Sequence, residues 1–329
     1  KTGDGKSTDQ IITVHSGDST ATEAVKVRRG NDTTGIGTAS VSTQASQAPD
    51  CDTVTYAGSG TSGNPYVVST LDQLQCIQSQ GLSAHYEVTS SIDAKTTAVW
   101  NDNSGFDPIG SNSAPFTGTF DGNGYEIQGL TIDRSSTTGL FGVSSGTIKE
   151  TNITEALIDG RDDTGVVVGD NDGGTVNSTS VTGTVNGGFG DGIGGLVGRN
   201  GGTIQYSNAA VDVSTGGQND QGGLVGRNAG SISHSYATGS VGGSDDIGGL
   251  VGYNSQNGRV ALSYATGTAT GFDDVGGLVG ENEGGVALSY ARGKTDADES
   301  ENNAGLVGRN SGTITLSYAA GEVQGSGGG

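Results

Sequence analysis

No methionine, one tryptophan, two cysteines and four prolines occur in 329 residues. Leu, Ile, Val and Phe together fill under a fifth of the chain, which with net charge −21 is the usual composition of disorder. Basic residues are scarce, 15 against 36 acidic ones. That excludes a protein that tracks nucleic-acid phosphates, which needs the opposite field. No run is apolar enough to span a membrane. A chain that begins at Lys1 and lacks methionine is expected to have lost a leader. The acidity suits a secreted protein, in particular one in very salty water, where repulsion is screened within about 3 Å. The lone cysteine pair in such a chain reads as a disulfide, Cys51–Cys76, with two buried thiols as the alternative.

Glycine, by contrast, supplies 63 positions, and it is not scattered. GGLVGRN stands at 194–200 and again at 222–228, followed by GGLVGYN at 248–254, GGLVGEN at 276–282 and AGLVGRN at 304–310. A second column, Ile148, Val176, Ile204, Ile232, Val260, Val286 and Ile314, keeps almost the same step. The period of 26–29 residues excludes disorder for this region and signals a repeat architecture. The apolar residues lack helical spacing, and the unit is too short for a four-stranded propeller blade. What remains is a parallel β-solenoid with one coil per unit, roughly nine coils over about 106–323, in which like residues stack on like.

Strand alternation then places the Leu column (Leu140, Val167, Leu196, Leu224, Leu250, Leu278, Leu306) inside. The Val column, with the variable Arg199, Tyr253 and Glu281, is expected outside or under a loop. Glycine permits positive φ and close backbone approach at corners. Asn171, Asn200, Asn228, Asn254, Asn282 and Asn310 are expected as left-handed turn residues with laddered amides. Tyr236, Tyr264, Tyr290 and Tyr318 form a further ladder, either a sugar-binding strip or, as the preferred reading, packing that strengthens one wall.

GGLVG followed by SISHSYATGSV at 231–241 resembles the GLUG repeat of bacterial and archaeal surface proteins, and the acidity fits a halophilic archaeon. NPYVVSTLDQLQCI and FDPIGSNSAPFTGTFDGNGYEIQGLTI resemble the lead-in of such arrays. The resemblance covers about 55–323, weakens at TGVVVGDN, and implies a right-handed parallel β-helix in a secreted or cell-surface protein, with no single activity.

Four regions follow. Residues 1–50 are a β-prone arm outside the array; 51–105 a disulfide-bonded cap; 106–323 the array; 324–329 a Gly-rich tail. In the cap, TLDQLQCIQ has Leu71, Leu74 and Ile77 at the spacing of one short helix.

Catalytic chemistry is not expected. His15, His85 and His234 share no register, and serines lack a histidine partner. GGFGDG at 187–192 is a weak and solitary echo of a calcium-binding repeat. Acidic residues recur once per coil, at Asp163, Asp191, Asp220, Asp246 and Asp274, four or five residues before the Leu column. Repetition in every coil is a property of a surface rather than of an active site, and the column reads either as a solvated rim or as a holder of Ca²⁺ or concentrated salt. No other cofactor is required. Asn31, Asn152 and Asn177 head glycosylation sequons, expected on outward turns.

The function expected from this pattern is an extracellular filament subunit, joined head to tail by strand donation. The arm residues Ile11, Ile12, Val14, Val25, Val27, Ile36 and Val41 would pair with a neighbour, and Ile314, Leu316, Tyr318 and Val323 of the last coil would receive it, the alternative being an arm that folds back on its own solenoid. Lys1, Lys6, Lys26, Arg28 and Arg29 make residues 1–30 mildly basic, which suits an arm that lies on an acidic neighbour. A monomeric adhesin that binds carbohydrate or other cells, and a β-helix carbohydrate-active enzyme, are the alternatives.

Overall fold

The computed structural model describes residues 14–16, 19–21, 47–188, 190–216, 219–297 and 302–325. The chain divides into two compact units, residues 1–43 and 44–329. In the first, Val14–Ser16 pairs antiparallel with Ser19–Ala21, Val14 opposite Ala21. Ile11, Ile12, Val25, Val27, Asn31, Ile36 and Val41 lie outside the described residues.

The second unit is the expected parallel β-solenoid. Its Ile/Val column runs in unbroken register, Ile148 against Val176, Ile204, Ile232, Val260, Val286 and Ile314 in turn. These strands form one wall of ten, and the Val-Gly-x-Asn strands form a second wall of seven, from Phe141–Ser144 to Val307–Asn310. A fourteen-strand wall carries the Tyr column, and a five-strand wall runs from Ile193–Gly194 to Asn303–Ala304. The seven strands of the second wall count seven complete coils, not nine. Upstream, Tyr66–Val68, His85–Val88 and Thr119–Asp121 continue the first wall without a copy of the GLVG phrase. Stacking therefore starts at Tyr66, inside the disulfide-bonded cap segment, 51–105.

That segment keeps its disulfide: Cys51 and Cys76 are bonded, with Cα atoms 5.4 Å apart. Its helix is two short ones, Leu71–Gln75 and Ile77–Gln80, meeting at Cys76. Thr70 caps the first by accepting from the Gln73 amide at 3.2 Å, and Leu74 and Ile77 are buried.

The Leu column is interior, as the alternation predicts, but the Val column is interior too. Val197, Val225, Val251 and Val279 are buried. The cause is a corner repeated along the GLVG coils: Leu196 stands in the bend between Ile193–Gly194 and Val197–Asn200, and its amide and that of Val197 both donate to the Leu224 carbonyl, at 3.0 and 3.1 Å. Alternation holds only along one strand, so across the bend consecutive side chains both turn inward. The register then skips Gly198 and resumes at Arg199, which points out, while Asn200 points in.

The glycines of the phrase serve close approach, not positive φ. A Cβ on Gly226 would lie 2.4 Å from backbone atoms of Gly192 and Ile193, so the five-strand wall packs backbone to backbone against the second wall. Left-handed φ falls instead on Asp220 (64°), Asp246 (56°) and Asp274 (50°), and on Tyr206, His234, Leu262, Leu288 and Leu316 at another corner.

The asparagine column also differs from a turn column. Asn200, Asn228, Asn254 and Asn282 are fully buried at strand ends, and each Nδ2 donates to the next Oδ1, at 2.8 Å from Asn200 to Asn228. A serine ladder that the sequence reading did not single out runs beside the Tyr column. Ser235 Oγ accepts from the Ser207 amide at 3.2 Å and donates to its own Ser233 carbonyl at 2.8 Å.

Candidate functional site: the acidic trough

Four of the five expected acids share one column. The pairing of Thr164 with Ile193 and of Asn219 with Asp245 stacks Asp163, Gly192, Asp220, Asp246, Asp274 and Asn302. Asp191 is displaced by one residue: Gly192 holds its place, and Asp191 is exposed. The left-handed backbone suits aspartate and glycine here, the two residues that fill the column from Asp163 to Asp274. It also turns the carboxyls toward the protein. Asp220 is only 6% exposed and Asp274 7%, so this is no solvated rim.

A second column lies alongside, from the Val-Gly-x-Asn strands: Asp170, Arg199, Arg227, Tyr253, Glu281 and Arg309. It holds the variable position of an otherwise constant phrase, and that chemical variation is the sequence signal for it. Arg199 Nη1 donates to Asp170 Oδ2 at 3.0 Å, and Arg227 Nε stands 3.1 Å from Asp220 Oδ2, its guanidinium 5.7 Å from the Tyr253 ring centre. Arg309 reaches Glu281 at 3.3 Å and Asp274 at 3.9 Å.

Burial dominates the electrostatics. It pushes Asp163 up to about 6, with Asp170 adding to the effect and Arg199 and Arg227 opposing it. Asp220 is likewise raised to about 6 by burial, against the pull of Arg227. Asp246 rises to about 7 through burial, then through Asp220, Glu281 and Asp274. Asp274 is raised by burial and by Asp273, with Asn302 and Arg309 pulling the other way.

The tyrosine column stacks face to face. Ring centres of Tyr236 and Tyr264 are 4.8 Å apart at 2°, and those of Tyr264 and Tyr290 4.9 Å apart at 3°. Rings that cover one another cannot offer their faces to a sugar, so the ladder is wall packing. Tyr318, at the last coil, is 51% exposed, Val323 is 49% exposed, and Ile314 is half-buried. Leu316 is 82% exposed for a different reason: it occupies the left-handed corner, where Leu262 and Leu288 stay 46% and 50% exposed even with a coil on either side. Asn152 and Asn177 are half-buried at strand ends rather than on turns, Asn152 opening Asn152–Gly160 and Asn177 closing Thr175–Asn177.

Residues 221–242 match the GLUG motif. Halomucin of Haloquadratum walsbyi is 37% identical over 134 residues, which is 37% of this chain and 2% of that protein. A protein of Evansella cellulosilytica, provisionally named a Gly-rich membrane protein, is 34% identical over 102 residues, 30% of this chain and 12% of the relative. The chain thus spans a small fraction of either relative. A crystal structure from Bacteroides ovatus, provisionally called an immunoglobulin A1 protease, superposes with TM-score 0.59 at 21% identity. It covers 81% of this chain and 86% of its own, and at that identity the likeness speaks for the fold alone. The motif at 221–242 lies in register with the coils on either side, so the β-solenoid carries a GLUG motif within its array.

Proposed function

We propose that the chain is a structural segment of an extracellular cell-surface protein, a rod that extends head to tail into a filament rather than an enzyme. The observation that carries this reading is the sameness of the stacking surface from coil to coil. From Tyr236 onward each coil hands its successor an asparagine donor, a tyrosine face and an Ile/Val edge, and Asn310, Tyr318 and Ile314 present that set at the last described coil. A further coil in the same register, from a second copy, would satisfy all three. The mildly basic, strand-forming N-terminal segment suits donation to an acidic neighbour. A relative named as a membrane protein and an acidic surface support the placement at the cell surface. The aspartates of the trough recur at four of its six stacked positions, which favours a structural over a catalytic role. An adhesin that grips sugars through the tyrosines would need ring faces that the ladder consumes.

Electron microscopy and sedimentation of the purified chain test the reading. Concentration-dependent fibres are expected, lost on deletion of residues 1–50 and on Ile314→Asp with Tyr318→Asp. A monodisperse monomer at every concentration, or fibres that survive both changes, would overturn it.

A further inference from the structure

The trough is built in two halves with different countercharge. In the upper half, Asp163, Asp170 and Asp220 face two guanidiniums, Arg199 and Arg227. In the lower half the register position of those arginines holds Tyr253, which is neutral, and then Glu281, which adds a charge. Asp246, Asp274 and Glu281 bring one carboxylate oxygen each within 4.8 Å of one another. The cation that reaches them is Arg309, 61% exposed, which contacts Glu281 and Asp274; no cation pairs with Asp246 among the described residues.

A second observation points the same way. Asp274 is 7% exposed, and its Oδ1 is buried without a hydrogen-bond donor. A carboxylate oxygen taken out of water with no donor is costly, and the two other carboxylates converging beside it add repulsion. A small hard cation answers both. We propose that Asp246, Asp274 and Glu281 hold one divalent cation, calcium, in place of the arginine that the upper half carries.

The donor set is all oxygen, as calcium takes. Calcium–oxygen distances of about 2.3–2.6 Å accommodate oxygens up to about 5 Å apart across the ion, whereas magnesium at about 2.0–2.1 Å would require the coils to close further. The bound ion would tie two adjacent coils together, since Asp246 belongs to one and Asp274 and Glu281 to the next. Nothing in this depends on filament assembly.

The test is calorimetric titration of the full chain with CaCl₂, and thermal denaturation, at constant ionic strength set with KCl. One calcium per chain with a raised melting temperature is expected, with magnesium weaker. Glu281→Gln should weaken binding at least tenfold. Tyr253→Arg, which restores the upper-half pattern without removing a ligand, should weaken it while leaving the apo protein at least as stable, and it decides the matter if a ligand variant fails to fold. Screening only, meaning an equal melting shift from KCl at matched ionic strength with no heat of binding, would overturn the site. So would calcium affinity unchanged in both variants, or tighter binding of magnesium.

Discussion

Asn200 Nδ2 donates to Asn228 Oδ1 at 2.8 Å, and Asn228 Nδ2 donates in turn to Asn254 Oδ1 at the same distance, in a column wholly removed from solvent. Every amide from Asn200 to Asn282 is both donor and acceptor in the row, so the row is satisfied only as a whole. Its upper end shows what a break means: Ser144 occupies the position before Asn171, and Asn171 Oδ1 is left without a partner.

Replacing Asn228 by Ala should therefore cost about 2–4 kcal/mol, because it orphans the Asn200 donor and the Asn254 acceptor together. Asn228→Asp should be worse at neutral pH, since it buries a charge with an acceptor facing it. Thermal and chemical denaturation would check both. A loss within 0.5 kcal/mol for Asn228→Ala would mean that the ladder is incidental.

Two glycines separate close approach from mere flexibility. A Cβ on Gly226 meets the backbone of Gly192 and Ile193 at 2.4 Å, whereas one on Gly242 meets nothing within 4 Å. Gly226→Ala is expected to lose several kcal/mol, because backbone in the packed walls cannot step aside. Gly242→Ala should stay within about 0.5 kcal/mol of the parent. Equal melting temperatures for the two variants would contradict the packing account.

The register was legible for a physical reason. Stacked coils repeat one chemical environment, so Ile148 through Ile314 had to recur at one step, and they pair as the period requires. The interior position of Val197 was not legible, because alternation assumes one continuous strand, and the bend at Gly195–Leu196 that divides two walls is marked by no composition rule. The first stacked strands, Tyr66–Val68 and His85–Val88, carry no copy of the phrase, so periodicity could not find them. In the trough, the acidic column was visible but its burial was not. The one-residue offset that distinguishes Asp191 from Asp220 is trivial in sequence, yet it decides which carboxyl enters the protein.

Tyr264 lies between two parallel rings, with Tyr236 4.8 Å and Tyr290 4.9 Å away. Tyr264→Ala should cost about 1–3 kcal/mol by removing both contacts, and Tyr264→Phe, which keeps the ring, should cost little. Neither should alter retention on a panel of surface glycans. Glycan retention that falls with Tyr264→Ala while the fold persists would revive the sugar-strip reading.

The last prediction concerns pH and Asp163. Its carboxyl is raised from an ordinary value near 3.8 to about 6, chiefly by burial and then by Asp170, with Arg199 and Arg227 opposing and Asp162 adding slightly. The native state thus holds this proton more tightly than the unfolded chain does. The stabilising effect of protonation is complete below about 3.8 and is lost as pH rises to about 6, where the ionised form must sit half-buried. The difference between the two limits is at most about 3 kcal/mol, and less to the extent that water still reaches the group. Asp163→Asn removes the charge at every pH. It should match or slightly trail the parent at pH 4 and be more stable than the parent at pH 7, with the crossover between. Denaturation midpoints of the two proteins across pH 4–7 would check this, and a constant difference over that range would show that Asp163 ionises in the fold as freely as in water.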